Sequence, residues 1–264
     1  MVAGPNEILA FTIGTRSVGD NLRRAIAAGA VTEQADGSLA LPVHGPAAST
    51  FLMVRNSEAL GCGFLNSFLF KHVYAEAAVP QGCAPCYKIK ALPRSLRELV
   101  AMYEVAKNIP CLSKWGIDLG NPHSQDIYAG YVYVTGLEGA RALYPVLRKA
   151  MTGHPKIGAD VPLLIKRGCS NYEAKLGPSD QYTFAPELRA IEAALKARFK
   201  DREPEDESVA TMLYGKWVPL AFQIGDDTYL DFTNGRRLYP KSVSYDPDGA
   251  QTKQPISTKP FVTG

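Results

Sequence analysis

The most regular part of this sequence is residues 87–169, where segments with the period of a strand alternate with segments with the period of a helix. Residues 87–92 alternate polar and apolar side chains, which is typical of a strand with one buried face. Ser95 and Glu98 then have the spacing of a capping box, which marks the beginning of a helix. The apolar residues of that helix recur on one face: Leu96, Leu99, Val100, Tyr103 and Ala106. This part of the chain therefore predicts a strand followed by a helix that packs on it.

Four further segments complete the pattern. Residues 114–119 and 128–134 predict two strands, a second helix then extends to about residue 151, and residues 161–166 predict a fourth strand. Pro145 interrupts the second helix and predicts a kink or a break there. The order strand, helix, strand, strand, helix, strand is that of the ferredoxin-like βαββαβ sandwich. We therefore expect an α/β protein of the α+β class with a ferredoxin-like core.

The residues on either side of this core predict two smaller modules. On the N-terminal side, Ser17 can cap a helix, and the Asp-Gly pair at 36–37 marks a hairpin turn. On the C-terminal side, residues 218–224 and 228–232 flank a turn and predict a second hairpin. The main alternative is a longer mixed sheet that includes residues 8–13. The predicted division is into an N-terminal module, a core that carries the cysteines, and a C-terminal helix, hairpin and extended tail, at residues 1–80, 81–175 and 176–264.

The chain has five cysteines, and the predicted topology brings four of them together. In a sheet with the strand order 4-1-3-2, strands 1 and 2 are parallel and strand 4 runs the opposite way. The starts of strands 1 and 2 and the end of strand 4 therefore lie at the same edge of the sheet. Cys83 and Cys86 precede strand 1, Cys111 precedes strand 2, and Cys169 follows strand 4. We therefore predict that these four thiols lie together and bind a cofactor, with Cys62 as a substitute for Cys111 or Cys169.

An iron–sulfur cluster of the 4Fe–4S type is the cofactor that this set favours. Cysteine thiolates bind such clusters, and the corners of a cluster are far enough apart to accept ligands that are spread along a chain. Zinc is the alternative, because it too takes four thiolates. Structural zinc sites, however, usually have two short Cys-x2-Cys pairs, and this chain has one.

Two other interpretations of the cysteines remain open. Dithiol redox chemistry of the thioredoxin type needs Cys-x-x-Cys at the N-terminus of a helix, whereas Cys83 and Cys86 precede a strand. The cysteines could also be five unrelated thiols, since free cysteine is common in protein cores. A disulfide framework is disfavoured by their odd number in a chain without secretory features.

Charged residues near the end of strand 4 are the candidate catalytic groups. Glu173 is the first candidate for a general acid or base, and Lys166 and Arg167 could bind an anionic substrate beside it. Three further lysines on the predicted strands could bind that anion or offset the negative charge of a thiolate-ligated centre: Lys88, Lys90 and Lys114. For each lysine, a solvated strand edge is the simpler explanation.

Composition limits the classes of function. The chain has 264 residues, a net charge of +3 and no run of basic residues, so nothing in it indicates nucleic-acid binding. The longest apolar stretch, residues 64–79, contains polar and charged side chains and is too short to span a bilayer. The first residues lack the pattern of a secretory signal. We therefore expect a cytoplasmic protein without a membrane partner.

Together these observations predict a cysteine-ligated metalloprotein, most simply an iron–sulfur enzyme that performs redox or cluster-based catalysis on a small substrate. The lysines make an anion one candidate for that substrate, and a redox partner protein is another candidate partner. Two alternatives stay open: a zinc-stabilised α/β module that binds RNA or protein, and a metal-free hydrolase or transferase. The substrate and the oligomeric state do not follow from the sequence.

Overall fold

The structure is a computed structural model that describes residues 9–42, 49–57, 61–118, 126–201, 208–240, 243 and 245. It combines helices with a five-stranded antiparallel sheet, so the α+β class is confirmed. The predicted extended tail, from residue 246 on, lies outside the described residues.

Two short hairpins and one helix begin the described chain. Strands β1 (Thr12–Ile13) and β2 (Arg16–Ser17) pair with each other, and β3 (Thr32–Glu33) pairs with β4 (Leu39–Ala40). Helix α1 (Val18–Ala27) is capped by Ser17, whose hydroxyl accepts from the backbone N–H of Asp20, which confirms that prediction. β1 pairs only with β2 and does not join the central sheet. The alternative prediction of a longer mixed sheet that includes residues 8–13 is therefore wrong for residues 9–13, which the structure describes.

The central sheet has the strand order β5-β7-β8-β6-β9, and every pair of neighbours is antiparallel. Its strands are β5 (Phe51–Arg55), β6 (Cys86–Ala91), β7 (Leu112–Ile117), β8 (Tyr128–Thr135) and β9 (Leu163–Arg167). In register, Cys86 is opposite Thr135, and Tyr87 is opposite both Val134 and Arg167. The start of β6 and the ends of β8 and β9 therefore lie at one edge of the sheet.

Two helices cover one face of the sheet: α2 (Leu96–Ala106) and α3 (Leu137–Thr152). Trp115 of β7 is fully buried under them. A Cβ atom on Gly130 of the neighbouring β8 would lie only 2.0 Å from the indole of Trp115, so glycine is required there. Pro145 lies inside α3, which continues through it, so the predicted break does not occur.

The C-terminal hairpin predicted at 218–224 and 228–232 is wrong. The chain there forms α6 (Val209–Met212) and α7 (Val218–Gln223), joined by a π-helical segment, Leu213–Trp217, and followed by a 3-10 helix, Asp227–Phe232. Met212, Trp217 and Ala221 are buried in the core under the sheet. Their contacts with that core decide the conformation, because the short apolar run by itself fits a strand as well as a helix.

A second core lies on the N-terminal side. It joins α1, a π-helix (Gly63–Val73) and α5 (Leu188–Arg198), and the rings of Phe64, Phe68 and Phe199 pack there within 5.8 Å of one another. A short helix, α4 (Ser170–Leu176), follows β9. The described helices include none with the length and apolar character needed to cross a membrane.

Candidate metal centre

Four of the five cysteines line one pocket at the edge of the sheet where β6 begins. They are Cys62, Cys83, Cys86 and Cys169, and they come from segments that are far apart in the sequence. The empty space between the lining residues, including the part open to solvent, is about 430 Å³. The pocket is completed by Leu65, Asn66, Gly82, Pro85, Thr135, Gly168 and Tyr172.

Each cysteine lies at the end of a regular element. Cys62 caps the π-helix, Cys83 ends a 3-10 turn (Gln81–Cys83), Cys86 is the first residue of β6, and Cys169 caps α4. Ends of elements are where the chain can turn a side chain toward a shared point. Gly168, with a φ of +65°, supplies such a turn immediately before Cys169, and its N–H donates to the Cys86 carbonyl at 3.0 Å.

The turn that carries Cys83 is held by a buried carboxylate, Glu192 of α5. Glu192 accepts hydrogen bonds from the backbone N–H groups of Gln81, at 2.6 Å, and Gly82, at 2.9 Å, and from the hydroxyl of Tyr74, at 3.1 Å. Burial raises the pKa of Glu192, although these three donors favour its charged form. Nothing in the local sequence indicated Glu192, because it lies about 110 residues from the turn that it holds.

Two of the four sulfur atoms have polar neighbours in the structure. The Tyr172 hydroxyl lies 3.3 Å from the sulfur of Cys83, and the ammonium group of Lys88 donates to the sulfur of Cys169 at 3.5 Å. Both Tyr172 and Lys88 are buried. Donors at these positions stabilise negative charge on sulfur, which is the form that binds a metal.

Burial acts in the opposite direction on the thiols. It raises the pKa of Cys83, it raises the pKa of Cys86 to about 11, and it raises the pKa of Cys62 although this residue is partly exposed to solvent. Neighbouring thiols add to each of these shifts, whereas the charge of Lys88 lowers the pKa of Cys62 and Cys86. Without a metal these three cysteines are therefore neutral at pH 7, and binding a metal would release their protons.

Cys111, a member of the predicted ligand set, does not line this pocket. It precedes β7, which is separated from β6 by β8, and two strand spacings amount to about 10 Å. Its side chain is half-buried against the core under the sheet. Burial alone raises the pKa of Cys111, with no contribution from another thiol. Cys62 takes the corresponding place at the pocket.

Of the three candidate catalytic residues, Lys166 and Glu173 form an ion pair, whereas Arg167 contacts the loop that carries the cysteines. The ammonium group of Lys166 pairs with the carboxylate of Glu173 in a half-buried contact beside the pocket. Burial, followed by the charges of Lys88 and Lys90, lowers the pKa of Lys166 to about 8, whereas the contact with Glu173 favours the charged form. The guanidinium group of Arg167 lies over the rings of Tyr87 and Phe184 and donates to the carbonyl of Ala84, so it supports the cysteine-bearing loop.

Within the described part of the chain, no group of three or more His, Cys, Asp or Glu side chains is arranged to hold a metal ion. Of the four histidines, His44 and His123 lie outside the described residues.

Comparisons with protein-family models, with curated proteins and with solved structures found no match to this chain. The chemistry of the site must therefore be argued from its own residues.

Proposed function

We propose that this chain is an iron–sulfur protein in which Cys62, Cys83, Cys86 and Cys169 bind a 4Fe–4S cluster. The observation that carries the proposal is the meeting of four cysteines at one pocket, with hydrogen-bond donors beside two of their sulfur atoms. The cluster would serve redox chemistry or catalysis on a small substrate.

The arrangement favours a cluster over a single zinc ion. Zinc needs four sulfur atoms about 2.3 Å from one point, and structural zinc sites usually have two short Cys-x2-Cys pairs, of which this chain has one. A cluster takes each thiolate at a different iron atom, so its ligands stand further apart. Thiols around a shared pocket suit that geometry.

The neighbouring residues also suit a negatively charged centre. Lys88 donates a hydrogen bond to the sulfur of Cys169. Burial and the charge of Lys88 lower the pKa of Lys114, whereas Cys169 and Cys62 raise it. A bound cluster would supply electron transfer at a potential set by its net charge, by hydrogen bonds to its sulfurs and by solvent exposure. Lys88 and Tyr172 would supply two of those hydrogen bonds.

We further propose that β6 to β9, with α2 and α3, form a ferredoxin-like core to which β5 is added at the edge. The order β9-β6-β8-β7 supports this assignment, because it corresponds to 4-1-3-2 in that topology. In this arrangement the edge at the start of the first strand carries Cys83 and Cys86, and the end of the fourth strand leads to Cys169.

The decisive experiment is anaerobic purification followed by iron and sulfide analysis and by absorbance spectroscopy. We expect about four iron and four sulfide per chain and a broad absorbance near roughly 400 nm, as thiolate-bound clusters give. Colourless, iron-free protein after anaerobic reconstitution would contradict the proposal. One zinc ion per chain without that absorbance would instead support the zinc-stabilised module.

A matched pair of variants tests the ligand set. Cys62→Ser removes a thiol at the pocket and should lose most of the iron, because oxygen is a poorer ligand for the cluster than thiolate. Cys111→Ser removes a half-buried thiol away from the pocket and should keep the iron content of the wild type. The reverse result would show that Cys111, and not Cys62, is the fourth ligand.

A further inference from the structure

The face of the sheet opposite α2 and α3 carries four lysines. Ile89, Trp115 and Ile165 belong to or pack against the core on the helix side, so their strand neighbours point the other way. The lysines on that opposite face come from three strands: Lys88 and Lys90 from β6, Lys114 from β7 and Lys166 from β9.

Two of the four lysines have a carboxylate partner. Lys90 pairs with Asp126 at 2.6 Å, and Lys166 pairs with Glu173. Lys88 and Lys114 form no ion pair with any residue that the structure describes. Asp118 favours the charged form of Lys114 and accepts a hydrogen bond from the hydroxyl of Tyr131, without forming an ion pair with Lys114. The two lysines with no described acidic partner therefore lie on the same face, on the two strands that flank β8.

The ammonium groups of Lys88 and Lys114 converge on one aromatic ring. The ring centre of Tyr131 lies 5.4 Å from the nitrogen of Lys88 and 4.9 Å from that of Lys114. The ring of Phe51 lies next to that of Tyr131, with centres 6.2 Å apart, and its centre is 4.5 Å from the nitrogen of Lys114. Two like charges beside one ring repel each other, and the rings offset only part of that repulsion.

Burial makes this arrangement costly without a negative partner. Lys88 is only 5% exposed, and Lys114 is half-buried. Burying an ammonium group is unfavourable unless an opposite charge accompanies it. The sulfur of Cys169 can compensate Lys88 on one side. Lys114 forms no ion pair with a described residue, although Cys169, Asp118 and Cys62 are near enough to favour its charged form.

We propose that Lys88 and Lys114 bind a small oxyanion beside Tyr131, and that this oxyanion is the acid group of the substrate. A lysine ammonium group binds phosphate or carboxylate as a point charge without a fixed bidentate geometry. Lys88 joins the two sites, because the same nitrogen that would contact the oxyanion lies 3.5 Å from Cys169. The oxyanion therefore lies next to the cysteine pocket.

The role of the oxyanion as a substrate group rests on the proposed cluster function, whereas its binding does not. Isothermal titration calorimetry on the anaerobically purified protein, at constant ionic strength, tests the binding with inorganic phosphate and with acetate as probes. We expect saturable binding of at least one probe. Preference for phosphate or for acetate distinguishes a phosphorylated substrate from a carboxylic acid.

Lys114→Met should weaken this binding at least tenfold, and Lys114→Gln should do the same if the methionine variant is unstable. Lys90→Met is the matched control, because Lys90 lies on the same face and strand as Lys88 but is already paired with Asp126. The control should bind within twofold of the wild type. Absence of saturable binding in the wild type, or equal binding by the Lys114 variants, would overturn the inference.

Iron content is measured on the same samples, so that the two proposals fail separately. Iron-free protein that binds an anion through Lys114 establishes the anion site and overturns the cluster. Protein that contains the cluster but binds neither probe overturns the anion site and leaves the cluster in place.

Discussion

At the scale of single residues, Tyr172 gives the cysteine site one of its most specific features. Its ring is fully buried against Phe70, with ring centres 4.4 Å apart, and its hydroxyl reaches the sulfur of Cys83. The packing of the ring and the hydrogen bond of the hydroxyl can be separated by mutation, because phenylalanine keeps the first and removes the second.

Tyr172→Phe should therefore make the proposed cluster harder to reduce. The reduced cluster carries more negative charge, and a hydrogen bond to its sulfur ligand stabilises that charge. We expect a shift of roughly 60 mV to lower potential, equivalent to about a tenfold change in a one-electron equilibrium. Protein-film voltammetry measures the shift.

Tyr182→Phe is the control for this shift. Its ring lies 6.4 Å from that of Tyr172, but its buried hydroxyl has no hydrogen-bond partner among the described residues. The potential of this variant should equal that of the wild type. If Tyr172→Phe also leaves the potential unchanged while the iron is retained, the hydroxyl does not act on the cluster.

At the scale of elements, the turn Gln81–Cys83 depends on a helix from the other end of the chain. Helix α5 packs in the second core, and Glu192 projects from it to the two backbone N–H groups of the turn. The position of Cys83 is therefore set by packing between α1, the π-helix and α5 as much as by β6.

Glu192→Gln should destabilise the protein by about 1–3 kcal/mol, because the amide presents an N–H₂ donor to one of two backbone donors. Urea unfolding measures the loss. Glu187→Gln, an exposed position at the start of the same helix, should change stability by no more than about 0.5 kcal/mol. Equal losses of stability in the two variants would contradict the structural role of Glu192.

The same carboxylate predicts the sign of a pH effect. Burial raises the pKa of Glu192 in the folded state above the ordinary value of 4.5. Ionising a carboxyl group with a raised pKa costs the folded state stability, so the wild type loses stability as the pH rises from about 4.5 through the folded-state pKa, whereas Glu192→Gln does not ionise and lacks this loss. Unfolding of both proteins at pH 4 and pH 7 tests the sign, and a difference that grows with pH would contradict it.

At the scale of the whole molecule, the cysteine pocket joins segments from all parts of the described chain. Cys62 precedes the N-terminal π-helix, Cys86 and Cys169 belong to the sheet edge, and α5 supports Cys83 from the C-terminal side. A centre bound by all four would connect the two large cores, so its loss should loosen the protein globally.

Removal of the proposed cluster should lower the melting temperature by at least about 5 °C. Binding to the folded state alone adds to stability, and each kcal/mol corresponds to about 2–4 °C for a chain of this size. Calorimetry before and after anaerobic treatment with an iron chelator measures the change. Cys83→Ser, which should not hold the cluster, serves as the control and should be insensitive to the chelator.

The sequence by itself determined the order of strands and helices from β6 to β9, because periodicity and capping are local properties of the sequence, and packing agrees with them in this part of the chain. It also directed attention to the edge of the sheet where Cys83, Cys86 and Cys169 lie. The same local signals were wrong at residues 218–224, where burial of Trp217 and Ala221 fixed a helix in a segment whose pattern also fits a strand.

Only the tertiary structure decided which other groups join the Cys-x-x-Cys pair. Cys111 lies at the beginning of β7, as predicted, yet β8 separates it from β6 and its side chain packs against the core under the sheet. Cys62, Glu192 and Tyr172 approach the pocket through packing of the second core and of α4. Contacts between residues tens to more than a hundred positions apart leave no local pattern, since they depend on how complete elements fill space against one another.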